Sequence, residues 1–293
     1  MKITVIGPYS RDLFHRVEGP PIEREGGLYR AVAHLASLAG KQDKIVPVFG
    51  VDAADREEIQ ARFEVLPGVE TSGIFPARGP IHTIHYFLGG DGRRVACVKE
   101  FAPPIPFEKV KKYLDADGVL VNMISGLDIT LETLDEIRMA VRGEGTRIHF
   151  DFHNLTQGVS PDGGRVRRPV VAWRRWAFMV DTIQMNAEEI AGLTGEPLTE
   201  QQTAGHILTL GVKGVVVTRG VEGATLYWNE HKKVIRKNFG TPPGNTPSEA
   251  VGAGDLFGAA FCAGFVRSGD LQASTESAVL AAFREAAAAP DQS

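Results

Sequence analysis

The chain has 293 residues, 43% of them hydrophobic, and a formal net charge of −4 with acids and bases interspersed. That length and apolar content can bury a substantial core in one large α/β domain or two ordinary ones, and the charge advertises neither nucleic acid nor an anionic membrane as partner. Cys97 and Cys262 stand too far apart to suggest a disulfide framework, and no segment is long and apolar enough to span a bilayer, so a cytoplasmic protein is expected.

The opening Met-Lys-Ile-Thr-Val-Ile-Gly reads as a first buried strand over 3–7, not as a signal peptide, because no apolar h-region or small-residue cleavage site follows. Further short apolar runs predict buried strands at 45–50, 118–122, 147–152, 182–186 and 214–218. Between them lie helical stripes: Leu28, Val32, Leu35 and Ala39; Ile59, Phe63 and Leu66; Leu134, Ile137 and Val141. Strands alternating with helices predict a mainly parallel sheet covered on both faces. Two strand-like runs, 81–88 and 93–100, flank Gly89-Gly-Asp-Gly92, a hairpin signal that breaks the rhythm. With strand material over 9–23, the segment 76–101 is expected to form a small β-lid over a substrate, inserted in a single domain spanning 1–293. Arg165-Val-Arg-Arg168 with Arg174 and Arg175 reads as a solvated loop and helix face, and residues 277–289 as a final helix.

The densest chemical signal is Glu249-Ala-Val-Gly-Ala-Gly-Asp255, which runs straight into the small-residue helix Leu-Phe-Gly-Ala-Ala-Phe-Cys-Ala-Gly-Phe265. Glycines at a helix N-terminus leave unpaired N–H groups and the positive end of the helix dipole at one point, a site for a phosphate. Gly252, Ala253 and Gly254 are therefore the candidate anion hole. Asp255 would repel an anion. It fits either a helix cap or a base that takes the proton of a hydroxyl attacking a phosphate.

Four segments in order carry a resemblance: Gly26-Gly27-Leu-Tyr-Arg-Ala-Val-Ala-His-Leu-Ala-Ser-Leu38, Asn186-Ala-Glu-Glu189, Val215-Val-Val-Thr-Arg-Gly-Val-Glu-Gly-Ala-Thr-Leu226 and the Gly-Ala-Gly-Asp255 junction. Together the chain resembles the ribokinase (PfkB) family of carbohydrate and nucleoside kinases. The resemblance implies a ribokinase-like three-layer αβα sandwich with a mainly parallel central sheet and a small β-lid, often used for homodimer contacts. It implies ATP and Mg²⁺, with Asp255 as catalytic base and a sugar or sugar derivative as acceptor. Asn186 and Glu189 would organise the metal, water and phosphates, Glu189 as the Mg²⁺ partner; Glu188 reads as a first-turn glutamate complementing the helix dipole. Thr218, Gly220 and Gly223 would line ATP, although Gly-x-x-Gly between strands is also an ordinary turn, and the loop from Phe239 to Ser248 would border adenine. Gly26 and Gly27 let a hydroxyl-bearing ring approach the backbone, and Asp12, a few residues after the first strand, would accept hydrogen bonds from it. Asp151 and His153 close another strand and are candidates to face the same cleft, a hydrogen-bonded structural histidine being the alternative.

The resemblance departs at three places. Glu249 and Ala250 replace the usual Asp-Thr before the glycines, where some members build a monovalent-cation site. Ala31 stands where an asparagine usually binds the acceptor, while its neighbour Arg30 is either an exposed arginine or a contact for an acidic or phosphorylated acceptor. The closing small-residue and glycine element beside adenine is missing. Two other readings stay open: a nucleoside kinase, with Tyr9, Phe14 or Tyr29 stacked on a base, and a non-catalytic nucleotide or sugar sensor.

Overall fold

The computed structural model describes residues 1–16, 18–88, 94–159, 165–242 and 251–288. The Gly89-Gly-Asp-Gly92 turn, residues 243–248 of the loop after Phe239, Glu249 and Ala250 lie outside them. The first half contains β1 (Lys2–Ile6), β2 (Tyr9–Phe14), β3 (Ile22–Gly27), α1 (Leu28–Leu38), β4 (Lys44–Val51), α2 (Arg56–Glu64), β5 (Ile74–Pro76), β6 (His82–Leu88), β7 (Arg94–Glu100), α3 (Phe107–Val110), β8 (Gly118–Asn122) and α4 (Leu131–Ala140). The second half contains β9 (Arg147–Asp151), β10 (Gln157–Val159), β11 (Arg165–Arg167), α5 (Trp173–Phe178), β12 (Thr182–Asn186), α6 (Ala187–Gly192), α7 (Glu200–Leu208), β13 (Gly214–Thr218), β14 (Ala224–Glu230), β15 (Lys233–Phe239), α8 (Ala253–Ser268) and α9 (Leu271–Ala288).

Nine strands form one sheet in the order β15-β14-β13-β12-β9-β8-β1-β4-β5. From β5 to β13 all neighbours run parallel, and β14 and β15 add an antiparallel edge. All five residues of β8 are buried, as a strand covered on both faces must be. Helices α1, α8 and α9 pack together on the sheet, and α3 to α7 form a second contiguous layer. The six strands anticipated from apolar runs all lie in this sheet.

The strand-like runs that broke the rhythm form a separate sheet, β3-β2-β6-β7. It sits on the rest through Ile84, Val98 and Ile124, and through a buried polar anchor. His82 Nε2, on the first residue of β6, lies 2.9 Å from Asp128 Oδ1, while Asp128 Oδ2 accepts from the backbone N–H groups of Ile124 and Ser125. Those contacts hold the Asp128 carboxyl below the usual range although burial opposes them.

Two local expectations need correction. Arg165–Arg167 is not a loop: it pairs antiparallel with β10. The last helix starts at Leu271, six residues before 277, because Gly269 in the left-handed region ends α8 and the Asp270 carboxylate caps the N–H groups of Gln272 and Ala273.

The small residues of α8 let it lie close to the sheet: a Cβ on Gly258 would be only 3.0 Å from Gln184 Oε1. Phe261 of α8 is fully buried and its ring lies 4.8 Å from that of His149. Phe261→Ala should therefore cost about 3–5 kcal/mol of folding free energy, read as a lower denaturation midpoint in urea.

Candidate functional site

In an open α/β sheet, ligands collect beyond the carboxyl ends of the strands. Here residues at or near the carboxyl ends of adjacent strands form a polar row: Asn122 pairs in register with Asp151, Asp151 with Gln184, and Asn186 with Thr218. The N-terminus of α8 rests on it. Gln184 Nε2 donates to the Gly254 carbonyl at 2.9 Å and to Asp151 Oδ2 at 3.3 Å, and Asn122 Nδ2 donates to Asp255 Oδ1 at 3.0 Å. Gly252, the residue before α8, is left-handed at φ 89°, and a Cβ there would collide with the Arg30 side chain.

Two cavities meet at this helix end. One, of about 310 Å³, is lined by Asp151, Asn186, Glu189, Thr218, Gly220 and Gly223, by Ala253 and Gly254, and by an apolar wall that includes Val221, Phe257, Val279 and Phe283. The other, of about 240 Å³, lies under the small sheet, between Asp12, Gly27, Arg30, Ile84, Tyr86 and Ala96 on one side and Gly252, Gly254 and Asp255 on the other. Gly254 and His153 line both. His153 holds a positive φ of 34°, unusual for a residue with a side chain.

Charge is concentrated where the cavities join. Burial pushes the Asp255 carboxyl up to about 6, with Arg30 and the Asn122 hydrogen bond pulling it down and Asp12 pushing it further up. Asp151 is raised well above the usual carboxylate range by burial and by the neighbouring Glu189 and Asp255 charges. Arg30 is not an exposed arginine: its side chain is 17% accessible, Nη2 pairs with the fully buried Asp12 and Nη1 lies 3.8 Å from Asp255 Oδ2.

Every catalytic, acceptor, nucleotide and metal candidate except Gly26 lines one of these two cavities, as do Asp151 and His153, whereas Tyr9, Phe14 and Tyr29 do not. Gly26 lies behind Asp12, where a Cβ would meet the Asp12 carboxylate and Ser10 Oγ. Asp12 accepts from Ser10 Oγ at 2.9 Å as well as from Arg30. Asn186 and Glu189 form a reciprocal cap of α6: Asn186 Oδ1 accepts from the Glu189 N–H at 2.8 Å, and Glu189 Oε2 from the Asn186 N–H at 2.7 Å. Sequence reading missed Asn122 and Gln184, which look like ordinary strand amides until the register aligns them. It also missed the α9 wall, Val279 and Phe283, which closes the larger cavity although no glycine element follows α8.

The comparisons agree with this architecture. Residues 167–284 match the sequence model of the pfkB family carbohydrate kinases. A ribokinase from Thermotoga maritima superposes with a TM-score of 0.73 at 21% identity, covering 99% of this chain and 94% of its own. The fold is ribokinase-like. A Giardia lamblia ribokinase superposes at 0.76 with 16% identity, covering 99% and 94%, and a pyrophosphate-dependent kinase of the ribokinase family at 0.74 with 18% identity, covering 94% and 92%. No curated protein sequence matches the chain.

Magnesium prefers oxygen ligands and commonly takes only one or two carboxylates alongside substrate phosphates. The larger cavity offers such a set in Glu189 and Asn186, and among the described residues no group of three or more His, Cys, Asp or Glu forms a dedicated metal cage. The donor set therefore fits a metal that arrives with phosphates.

The raised Asp255 carboxyl has a consequence for stability. Its neutral form is favoured in the folded state, so that contribution is complete below about pH 4 and lost as pH rises through about 6. At pH 8 the buried carboxylate costs the fold about 3 kcal/mol, in proportion to the shift. Asp255→Asn cannot ionise and should melt above the wild type at pH 8, with the gap closing towards pH 4 in thermal scans.

Proposed function

We propose that the chain is a PfkB-family kinase that transfers the terminal phosphoryl group of ATP to a hydroxyl of an uncharged sugar or polyol. The observation that carries this reading is the meeting of the two cavities at Gly254, with Asp255 on the smaller one and the N-terminal amides of α8 at the junction. A hydroxyl held in the smaller cavity hydrogen-bonds to the Asp255 carboxylate. As its oxygen bonds to phosphorus and the bond to the leaving diphosphate breaks, the proton passes to Asp255. The N–H groups at the start of α8, and its dipole, face the charge spread over the transferred group. Magnesium, held through Glu189 and its neighbours, would offset the charge of the donor phosphates.

The donor assignment has a competitor, since some similar structures are pyrophosphate-dependent kinases. An inorganic diphosphate has no use for an apolar wall. Val221, Phe257, Val279 and Phe283 supply one of a kind suited to a flat base, and one similar structure is a ribokinase from Arabidopsis thaliana complexed with ribose and ATP. ATP is the reading this wall supports.

For the acceptor, the charge count favours a neutral molecule. Asp12 and Asp255 face a single guanidinium, already paired to Asp12, and among the described residues no other arginine or lysine lines the cavity to meet a phosphorylated sugar. The aromatic residues that would stack a nucleobase are otherwise engaged. Tyr9 and Tyr29 pack with Phe63, and Phe14 lies against Tyr86 with ring centres 4.9 Å apart, so Tyr86 is the one Phe, Tyr or Trp side chain lining the cavity among the described residues. A compact ring that offers hydroxyls to Asp12 and Asp255 and a C–H face to Tyr86 suits this space better than a nucleoside.

ADP release from Mg·ATP is the test, run against neutral sugars and polyols, their phosphates and nucleosides, with pyrophosphate as alternative donor. Turnover with a neutral acceptor and ATP is expected, with an acidic limb near pH 6 in kcat/KM because Asp255 must be ionised. Asp255→Asn should lower kcat by about 10²–10⁴-fold while nucleotide binding persists. ATP binding without turnover of any acceptor would favour the sensor instead.

A further inference from the structure

Arg30 sits in the first turn of α1, the wrong end of a helix for a cation, and α1 has no acidic residue in that turn to compensate. Its partners come from elsewhere. Nη2 pairs with the buried Asp12 of β2, and Nη1 reaches to 3.8 Å from Asp255 of α8. The passage between them is fitted to this side chain: Gly252 is left-handed, and any Cβ there would press on Arg30 Cδ. One guanidinium therefore spans the two carboxylates that line the smaller cavity, a geometry its planar fork allows and a point-charge ammonium does not.

We propose that Arg30 is a positioning residue that ties Asp12 to Asp255 and holds the base carboxylate in place at the acceptor cavity. The inference rests on the kinase reading above for its catalytic meaning. The groups facing Asp255 are Arg30 from α1, Asp12 from β2, Asn122 from β8 and Asp151 from β9, with His153 on the shared wall. Asp12 and Asp151 work against a negative charge on Asp255; Arg30 and the Asn122 amide support it. Arg30 is the single arginine or lysine among these groups, and an opposite charge at that range commonly lowers a carboxyl by one unit or more.

The test follows the Asp255 carboxyl directly by carbon-detected NMR titration of aspartate-labelled protein, with Asp255→Asn identifying its signal. In Arg30→Gln the Asp255 midpoint should rise by about one pH unit or more, and the acidic limb of turnover should move with it, so that activity lost at pH 6 returns in part at pH 9. Arg30→Lys should fall between the two. Arg30→Gln strands the buried Asp12 charge, so Arg30→Gln/Asp12→Asn serves where the single variant does not fold. An Asp255 midpoint unchanged in the folded single variant, or one in the double variant no higher than in Asp12→Asn alone, overturns the proposal. A midpoint that moves in a protein turning over no acceptor supports the Arg30 coupling and counts against the kinase reading.

Discussion

The docking of one helix end on one row of strand ends governs the arrangement of this molecule. Asn122 and Gln184 reach up from the carboxyl edge of the sheet, one to the carboxylate and the other to the carbonyl of the first turn of α8. Their bonds fix where the free amides of that turn point, and thereby where two separate cavities touch. The helix comes near enough because Gly258 leaves room for Gln184, and because the strands below it are in register. Shifting that register by one residue would turn the amides to the opposite face of the sheet.

The second constraint is electrostatic. Three carboxylates, Asp12, Asp151 and Asp255, are almost wholly withdrawn from water around this helix end, with Arg30 as the nearby cation. Such a cluster works against folding, and burial is the first cause of the upward shifts of Asp151 and Asp255. Apolar residues of similar shape would make a more stable core. The strained His153 backbone at the same point adds to the cost. Buried charge and backbone strain of this kind collect where a site needs groups poised for a ligand.

Much of this was legible in the chain. The parallel strands declared themselves as short apolar runs, since a strand buried on both faces tolerates few polar residues. The separate small sheet showed as two runs around a glycine-rich turn that no parallel strand could accommodate. Asp255 and its glycines were evident because a carboxylate between a tight turn and a small-residue helix has few purposes. What stayed hidden depends on proximity across the sequence. Arg30 stood out only as a possible acceptor contact, and its ties to Asp12, eighteen residues away, and to Asp255 appear only in the fold. Asn122 and Gln184 carry no local signal, and the α9 wall could not be read from an alanine-rich tail. Pair interactions between distant segments leave no periodicity to detect.

The chain also divides its contributions by position. Apart from the shared helix junction and the strand-end positions 124 and 153, the smaller cavity is built from residues before 100, whereas the larger one draws only on residues after 150. The stretch that matches the family model, 167–284, falls within the second group. The two groups meet at the start of α8 and at His153, so a substitution in the early segment that spares Asp12 and Arg30 can reshape the smaller cavity and leave the lining of the larger one untouched.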